Sequence, residues 1–293
     1  MNSNLPKVSI GIPVYNGEKY IRRAINSVLA QTFSDFEVII SDNCSTDLTS
    51  KICVEFKNDQ RIKYIKQEVN RGAGYNFPFV LSKAKGEYFI WLAYDDYWEP
   101  TFLEKNVRIL DDNSNVVGSI GLVEFENENL TSENFIMKLK NIIKHKIDIE
   151  KYKHVHPAFG DYQKKTSMYL RFNQASFIYG LFRTEKLRKR WVTIKIASWD
   201  LVTLLSILKE GDFYVVDEVL SHRSSSGINS KSGLINAYKK NELQIKDLIF
   251  PYSSLAIWCM KNIGIKFYFK NLDWFLLLTI YGWRSILLEL NEK

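Results

Sequence analysis

Residues 88–100, Y-F-I-W-L-A-Y-D-D-Y-W-E-P, are the stretch that decides the interpretation of this chain. The apolar run 88–94 predicts a short buried strand, and two adjacent carboxylates, Asp95 and Asp96, follow it. Open α/β folds bind ligands beyond the carboxyl ends of their strands. Two neighbouring carboxylates repel each other unless a cation neutralises them, and Mg²⁺ prefers one or two carboxylates together with phosphate oxygens. The alternative is a solvated acidic turn.

The residues before this stretch alternate between apolar runs and helical periods. The runs 8–14 and 36–41 predict buried strands, and 62–65 predict a short third strand. Pro13 marks the end of the first strand, since it cannot donate a ladder hydrogen bond. Apolar residues at helical spacing predict helices within 18–31, up to about Phe56, and over 75–83. Strands that alternate with helices predict an α/β fold with a mostly parallel sheet covered by helices.

The second half of the chain is less regular. Residues 118–126 and 213–216 predict strands, 199–208 predict a helix, and 177–182 return to the sheet. Residues 127–165 are polar and lysine-rich, which indicates a mobile, partly helical insertion. The Ser-rich segment 222–232 predicts a loop, and its run from Ser224 to Gly227 is either a lid or a plain linker.

The tail from about Leu248 contains short apolar helices with aromatic residues and flanking cations, Lys261, Lys266, Lys270 and Arg284. This pattern resembles interfacial membrane anchors. The alternative is a helical pair packed on the domain or on a second subunit, which would make a homodimer.

The composition is that of a soluble globular protein, with 25% charged residues and a net charge of +7. That charge suits phosphate-bearing substrates or an anionic membrane surface. Nucleic acid is not an expected partner, because zinc spacing, basic-region heptads and RNA-binding signatures are missing. Three cysteines without ligand spacing indicate a reducing compartment. The chain begins without an apolar signal segment, and its apolar runs are shorter than the ~18 residues of a membrane span. We therefore expect a cytoplasmic location, peripheral on the inner face of the membrane if the tail binds it.

Four motifs together resemble family 2 glycosyltransferases with a GT-A, Rossmann-like fold. They are P-V-Y-N-G-E-K-Y-I from Pro13, S-D-N-C-S-T-D from Ser41, N-R-G-A-G-Y-N from Asn70 and W-L-A-Y-D-D-Y-W-E-P from Trp91. They follow the family's order and usual spacing over the first hundred residues. Y-G-L-F-R-T from Tyr179 and S-W-D-L from Ser198 match more loosely. The resemblance implies an inverting enzyme that transfers a sugar from a nucleotide-diphosphate sugar to an acceptor hydroxyl.

The resemblance also implies roles for individual residues. Pro13 and Tyr15 would line the nucleobase pocket, Asp42 would accept a hydrogen bond from the base, and Arg71 would approach the base or the phosphates. Asp95 would lie near the ribose and Asp96 would bind Mn²⁺ or Mg²⁺. Tyr94 stands where the family often has a further carboxylate. Structural alternatives remain open, such as a helix N-cap for Asp42 and a surface cation for Arg71. Arg183, His222 and Arg223 are candidates to face the diphosphate or the acceptor, because arginine matches phosphate geometry.

Inversion by direct displacement requires a base that takes the acceptor proton. The family's base is an Asp, commonly followed by an aromatic residue and then often by Asp-Leu. In A-S-W-D-L that position is Ser198, so this sequence departs from the pattern. We take Asp200 as the candidate base, with Asp161 and His156 as further candidates. The structural alternative for Asp200 is a carboxylate at a helix N-terminus, favoured by the helix dipole.

The sequence therefore predicts a metal-dependent, hexosyltransferase-type enzyme of surface polysaccharide or glycan synthesis, acting on a glycan or a lipid-linked acceptor. Residues 1–230 would form the transferase domain, with a nucleotide-binding half (1–112) and an acceptor half (113–230), and residues 231–293 a helical region. One rival is a nucleotide-sugar-binding protein with impaired or no catalysis, motivated by Ser198. Another is a nucleotidyltransferase, which ranks last because the turn after the first strand lacks a Gly-rich phosphate loop with basic residues.

Overall fold

The computed structural model describes residues 5–126, 154–172, 175–192, 196, 198–224, 234–239 and 243–291. The strands are β1 (Val8–Val14), β2 (Phe36–Asp42), β3 (Ile62–Lys66), β4 (Tyr88–Trp91), β5 (Tyr97–Trp98), β6 (Val116–Glu126), β7 (Leu181–Arg183) and β8 (Asp212–Ser224). The helices are α1 (Ile21–Leu29), α2 (Thr49–Glu55), α3 (Ala73–Lys83), α4 (Phe102–Asp112), α5 (Tyr162–Phe172), α6 (Thr184–Arg190), α7 (Trp199–Ile207), α8 (Leu234–Lys239), α9 (Lys246–Ile249), α10 (Ser253–Asn262), α11 (Ile265–Lys270) and α12 (Leu272–Asn291). Residues 127–153 of the predicted insertion lie outside the described residues.

The strands form one mixed sheet in the order β3-β2-β1-β4-β7-β6-β8-β5. Strands β1 to β4 are mutually parallel, β6 and β8 are parallel, and β7 and β5 run antiparallel to their neighbours. Parallel neighbours need crossover connections, and α1, α2 and α3 lie between β1, β2, β3 and β4 along the chain. The predicted α/β class with a mostly parallel sheet is confirmed.

Strands β1, β2 and β4 are almost entirely buried, as expected for strands covered on both faces, whereas only Ile62 of the edge strand β3 is buried. All seven residues of β1 and all four of β4 are buried. The ladder between β1 and β4 ends at Gly11 and Trp91, so Pro13 lies beyond it and its missing N–H breaks no bond to β4. The first strand ends at Val14, as the position of Pro13 predicts.

Three predicted elements differ in extent. Strand β4 stops at Trp91 instead of residue 94, because its last neighbour bond is Leu92 N–H to the Gly11 carbonyl and the chain then turns. Within 177–182 the structure has a 3₁₀ helix (Ala175–Tyr179) followed by the short β7. Strand β8 is far longer than 213–216, because it pairs with β6 over most of its length. The prediction of a loop from residue 222 is therefore wrong for 222–224, while 225–232 lie outside the described residues.

The C-terminal helices pack against the rest of the fold. Buried side chains of α10, α11 and α12, among them Trp258, Phe267 and Phe275, belong to the same hydrophobic core as the sheet. Arg171 of α5 forms an ion pair of 2.8 Å with Asp273. Packing on the domain thus accounts for one face of the tail. Within the described part of the chain, the helices are all too short or too polar to cross a bilayer.

Glu210 joins α6 to the segment after α7, and its side chain is only 6% exposed. Burial raises the pKa of this carboxyl, but hydrogen bonds from Lys186, Lys189 and Arg190 outweigh it and lower the pKa to about 2. A carboxyl whose pKa is lowered in the folded state stabilises the fold when the pH lies above its pKa in the unfolded state. This stabilisation is lost as the pH falls towards 2. We expect Glu210→Gln to reduce the free energy of unfolding by about 2 kcal/mol at pH 7 after allowance for solvent screening.

Urea unfolding of both proteins between pH 7 and pH 2.5 tests this, and the difference should shrink below pH 4.5. Glu185→Gln is the matched control, because the side chain of Glu185 is 93% exposed and its removal should change little. A difference that stays constant down to pH 2.5 would contradict the assignment.

Candidate active site

The loops that follow β1 and β2 meet at the carboxyl edge of the sheet and interlock. The Asn16 N–H donates to Ser45 Oγ at 2.9 Å, and the Thr46 N–H donates back to Asn16 Oδ1 at 2.9 Å. The Leu48 N–H donates to Glu18 Oε2 at 2.9 Å. Asn16 has a left-handed φ of 51°, a conformation that asparagine adopts more readily than most residues. The two loops therefore form a rim that is rigid before any ligand arrives.

Asp42 lies beneath this rim and is fully buried. Its carboxylate accepts hydrogen bonds from the Ser45 N–H (2.8 Å), Ser50 Oγ (2.7 Å) and the Tyr64 hydroxyl (2.7 Å). Burial raises the pKa of Asp42, but these hydrogen bonds prevail and the pKa is lowered. The observed contacts tie the turn after β2 to α2 and β3. The hydrogen bond from a nucleobase stays a prediction.

The other predicted nucleobase residues lie at the same edge. Pro13 is buried in β1 opposite Ser41, and Tyr15 is half-buried just beyond the strand. The Arg71 N–H donates to Asn43 Oδ1 at 3.0 Å, which ties its loop to the end of β2. The exposed Arg71 guanidinium stacks on the ring of Tyr75 at 4.7 Å. Pro13, Tyr15 and Arg71 thus lie at the same edge of the sheet as Asp42, and their contact with a ligand is untested.

The carboxylate pair follows β4 at this edge. Asp95 is half-buried, and Asp96 is only 6% exposed. Asp96 Oδ2 lies 3.2 Å from Arg223 Nε, and Asp96 Oδ1 accepts the Ser224 N–H at 3.1 Å. Burial raises the pKa of Asp95, and burial raises the pKa of Asp96 to about 6 in spite of the Arg223 charge. The pair therefore carries negative charge that the protein itself only partly neutralises.

Arg223 is the cation at the centre of this cluster. Its Nη1 donates to Ser176 Oγ at 3.1 Å, and its guanidinium lies 4.4 Å from the ring centre of Tyr179. Its charge lowers the pKa of Asp95, Asp96 and Asp200 alike, against the larger effect of burial. Ser176 and Tyr179 were not predicted as site residues, although Tyr179 opens the Y-G-L-F-R-T segment.

His222 and Arg183 point elsewhere. Side chains alternate along a strand, so His222 faces away from Asp96. Its Nε2 lies 2.7 Å from Glu99 Oε1 and its Nδ1 lies 3.1 Å from Glu124 Oε2.

Arg183 lies opposite Tyr88, at the far end of β4 from the carboxylates. Its guanidinium donates to the carbonyls of Leu110, Asn113 and Val116, at 2.6, 3.1 and 3.0 Å. Both side chains are thus engaged within the protein and away from Asp96, and the contact of His222 or Arg183 with a diphosphate or acceptor stays a prediction.

Asp200 lies in the first turn of α7, half-buried, where its Oδ1 accepts the Leu201 N–H at 2.8 Å. Burial raises the pKa of Asp200, as suits a group that must take up a proton. Ser198, the position of the family's base, precedes α7 with a left-handed φ of 61°. The exposed Asp161 accepts the Lys164 N–H at 3.0 Å and caps α5, and His156 is buried against Phe172. Both placements favour structural roles for Asp161 and His156.

Asp95 and Asp96 are the residues that fit a divalent cation. They supply one or two carboxylates, the number with which Mg²⁺ is usually bound beside phosphate oxygens. The described residues contain no group of three or more His, Cys, Asp or Glu side chains that could enclose a metal. The donor set therefore fits a cation that shares its ligands with a bound phosphate.

The mixed sheet with its ligand edge beside the acidic pair defines the GT-A class of glycosyltransferase fold. The chain belongs to glycosyl transferase family 2, whose family model matches residues 9–172. It is 36% identical over 157 residues to an uncharacterized glycosyltransferase of Rickettsia typhi, with 53% of this chain and 48% of the relative covered. The chain thus spans about half the length of this relative. A putative teichuronic acid biosynthesis glycosyltransferase of Bacillus subtilis, TuaG, is 38% identical over 110 residues, with 37% of this chain and 44% of the relative covered.

Solved structures share the fold. S. aureus TarS 1–349 in complex with UDP-GlcNAc aligns with a TM-score of 0.63 and 20% identity, over 87% of this chain and 67% of TarS. The mannosyltransferase PcManGT from Pyrobaculum calidifontis, in complex with GDP-Man and Mn²⁺, aligns with a TM-score of 0.53 and 14% identity, over 88% of this chain and 62% of the enzyme. At these identities the likeness concerns the fold alone.

Proposed function

We propose that this chain is an inverting, metal-dependent glycosyltransferase that moves one hexose from a nucleotide-diphosphate sugar to the hydroxyl of a glycan or lipid-linked acceptor. The observation that carries the proposal is the adjacent pair of Asp95 and Asp96 after β4, with Arg223 Nε 3.2 Å from Asp96 Oδ2, at the ligand edge of a family 2 fold. TuaG belongs by its name to teichuronic acid biosynthesis, and TarS is seen with UDP-GlcNAc. Both support a nucleotide-sugar donor and a product at the cell surface.

Each group of the site has a role in this reaction. Asp96, with Asp95, would hold Mn²⁺ or Mg²⁺, and the ion would supply Lewis-acid stabilisation of the charge on the departing nucleoside diphosphate. Pro13, Tyr15, Asp42 and Arg71 would form the nucleotide pocket on the rigid rim. Asp200 takes the proton of the acceptor hydroxyl. At the same time the hydroxyl oxygen of the acceptor bonds to the anomeric carbon, and the bond from that carbon to the diphosphate oxygen breaks. Arg223 keeps the carboxylates from repelling one another.

A screen of nucleoside diphosphates tests the donor class. We expect one of UDP, GDP and TDP, with Mn²⁺, to raise the melting temperature of the protein, because a ligand at 100 times its Kd stabilises by about 2.7 kcal/mol. Nucleoside monophosphates are the control, since they lack the bridging pyrophosphate. A protein that none of the three diphosphates stabilises would contradict the proposal. Stable donor binding without transfer or donor hydrolysis would favour the non-catalytic rival that Ser198 motivates.

The C-terminal helical region (231–293) would dock the transferase domain (1–230) on the inner face of the membrane. Leu276, Ile280, Trp283 and Leu287 recur at helical spacing along α12 and are 44–60% exposed. Large apolar side chains grouped on one exposed face typically mark an interaction site. Their mixture with aromatic residues is typical of helices that lie in a membrane interface.

Charge favours a lipid surface over a second subunit. The three acidic residues of 243–291 are each engaged within the protein, by Ser254, Arg171 and the Ile235 N–H respectively. Four of the five cations of 243–291 lie exposed, outside any ion pair that the described residues form: Lys261, Lys266, Lys270 and Arg284. Two copies of such a basic surface repel each other, whereas anionic headgroups attract it. We therefore rank the membrane above a homodimer.

Vesicle co-sedimentation tests the membrane contact. We expect the wild type to bind anionic phosphatidylglycerol vesicles, and Ile280→Glu with Leu287→Glu to weaken binding more than about 10-fold, because two apolar side chains no longer enter the interface. Val54→Glu is the control, since Val54 is 42% exposed on α2. Equal binding of both variants, or a wild type that forms dimers and ignores the vesicles, would contradict this contact.

A further inference from the structure

A stack of three side chains lies behind the acidic turn. The guanidinium of Arg23, on α1, is 4.3 Å from the ring centre of Tyr97. The ring of His222 also stacks on Tyr97, with 4.6 Å between the ring centroids and 10° between the ring planes. We call Arg23, Tyr97 and His222 the rear stack. The proposed reaction gives none of these three residues a chemical step.

The rear stack is connected through the backbone both to the Asp95–Asp96 turn and to Arg223. Arg23 Nη2 donates to the Asp95 carbonyl at 3.0 Å, and Tyr97 follows Asp96 directly. On the other side, His222 precedes Arg223 in β8. Tyr97 and His222 are also register partners between β5 and β8. The stack therefore joins the turn that carries Asp95 and Asp96 to the strand that carries Arg223.

The position of Arg23 includes an unfavourable feature, a buried and unpaired donor, that an ordinary surface ion pair lacks. Its Nη1 and Nη2 donate to the two Glu126 carboxylate oxygens at 2.6 and 3.1 Å. Its Nε is buried and has no hydrogen-bond partner among the residues that the structure describes. A buried donor left unpaired is unfavourable and calls for an explanation. The explanation is that this orientation lets Nη2 donate to the Asp95 carbonyl and lets the guanidinium stack on Tyr97.

We propose that Arg23 is a positioning residue, which acts through Tyr97 and His222 to hold the Asp95–Asp96 turn at the spacing from Arg223 that the metal and the diphosphate require. The inference rests on the proposed function, because it concerns the same donor site. Pre-organised groups bind and react better than groups that must first be ordered. Loss of Arg23 frees the Asp95 carbonyl and removes the cation from Glu126, which keeps only its hydrogen bond with Tyr97 among the described contacts. The carboxylates then sample several positions.

Titration calorimetry with Mn²⁺ and whichever of UDP, GDP and TDP binds the wild type tests this inference. We expect Arg23→Gln to weaken diphosphate binding at least 10-fold, and to raise the KM for the donor sugar more than it lowers kcat. Arg22→Gln is the matched control, because Arg22 is the preceding residue on α1 and contacts the exposed Glu55 and the ring of Phe56 instead of the acidic turn. Tyr97→Leu should weaken binding as Arg23→Gln does, while Tyr97→Phe should restore most of the affinity because it keeps the ring.

The affinity is measured on folded protein well below its melting temperature, so a loss of stability alone leaves it unchanged. Wild-type affinity in Arg23→Gln, whatever its melting temperature, would overturn the positioning role and leave the proposed function standing. Equal weakening in Arg22→Gln would overturn it as well. A wild type that binds none of the three diphosphates would overturn both the positioning role and the proposed function.

Discussion

Replacement of Asp96 by alanine is expected to abolish the stabilisation of this protein by Mn²⁺ and a nucleoside diphosphate. Asp96 is the more deeply buried member of the acidic pair, and it is the carboxylate that Arg223 and the Ser224 N–H orient. Without it a bound divalent ion would keep at most one carboxylate of the pair, and the half-buried Arg223 loses its counter-ion. The gain of about 2.7 kcal/mol that a ligand gives at 100 times its Kd should therefore disappear.

Differential scanning fluorimetry with and without Mn²⁺ and the diphosphate measures this effect. Asp112→Ala is the control, because the side chain of Asp112 is 64% exposed and forms an ion pair with Arg108 on the surface of α4. It should be stabilised as strongly as the wild type. If Asp96→Ala is stabilised to the same extent, Asp96 is not the metal ligand and the ion, if any, binds elsewhere.

Replacement of Asp200 by asparagine is expected to leave donor binding intact and to lower kcat by about 10²- to 10⁴-fold, the usual contribution of a general base. The amide keeps the shape of the carboxylate and cannot take a proton. Release of nucleoside diphosphate from the donor sugar measures the loss, with water as the acceptor until the natural one is identified. Calorimetry on the same samples should return a donor Kd close to that of the wild type.

Asp161→Asn is the matched control for this substitution. Asparagine caps a helix about as well as aspartate, so α5 should remain intact and turnover should not change. Full activity in Asp200→Asn would remove Asp200 as the base. Loss of activity in Asp161→Asn with an unchanged fold would instead return Asp161 to the candidates. A wild type that binds donor and never turns over would support the non-catalytic rival.

The parts of the fold that the sequence predicts well are those with a local signal. The first strand was predicted at its exact bounds, and β2, β3 and α3 within two residues, because fully buried strands are continuous apolar runs and the helix keeps its own period. The placement of Asp42 and Asp96 at one edge also follows from the sequence. Both residues end parallel strands or follow them, and the carboxyl ends of parallel strands lie together.

The second half resisted prediction because its signals depend on partners far away in the chain. The length of β8 depends on pairing with β6, and the serine-rich composition of its end looked like a loop. The local sequence around Arg183 and around Arg223 does not distinguish the contacts that the two side chains make. One donates to carbonyls around the end of α4, and the other contacts Asp96.

The sequence alone therefore determined the class of fold and the place of the acidic pair at the end of a strand. Only the tertiary structure decided which cation meets that pair, which side chain of β8 turns away from it, and what supports it from behind. Asp96 and Arg223 are 127 positions apart, and Arg23 and Glu126 are 103 apart. Contacts over such separations arise from strand order and side-chain alternation in the assembled sheet, and no local pattern in the chain encodes them.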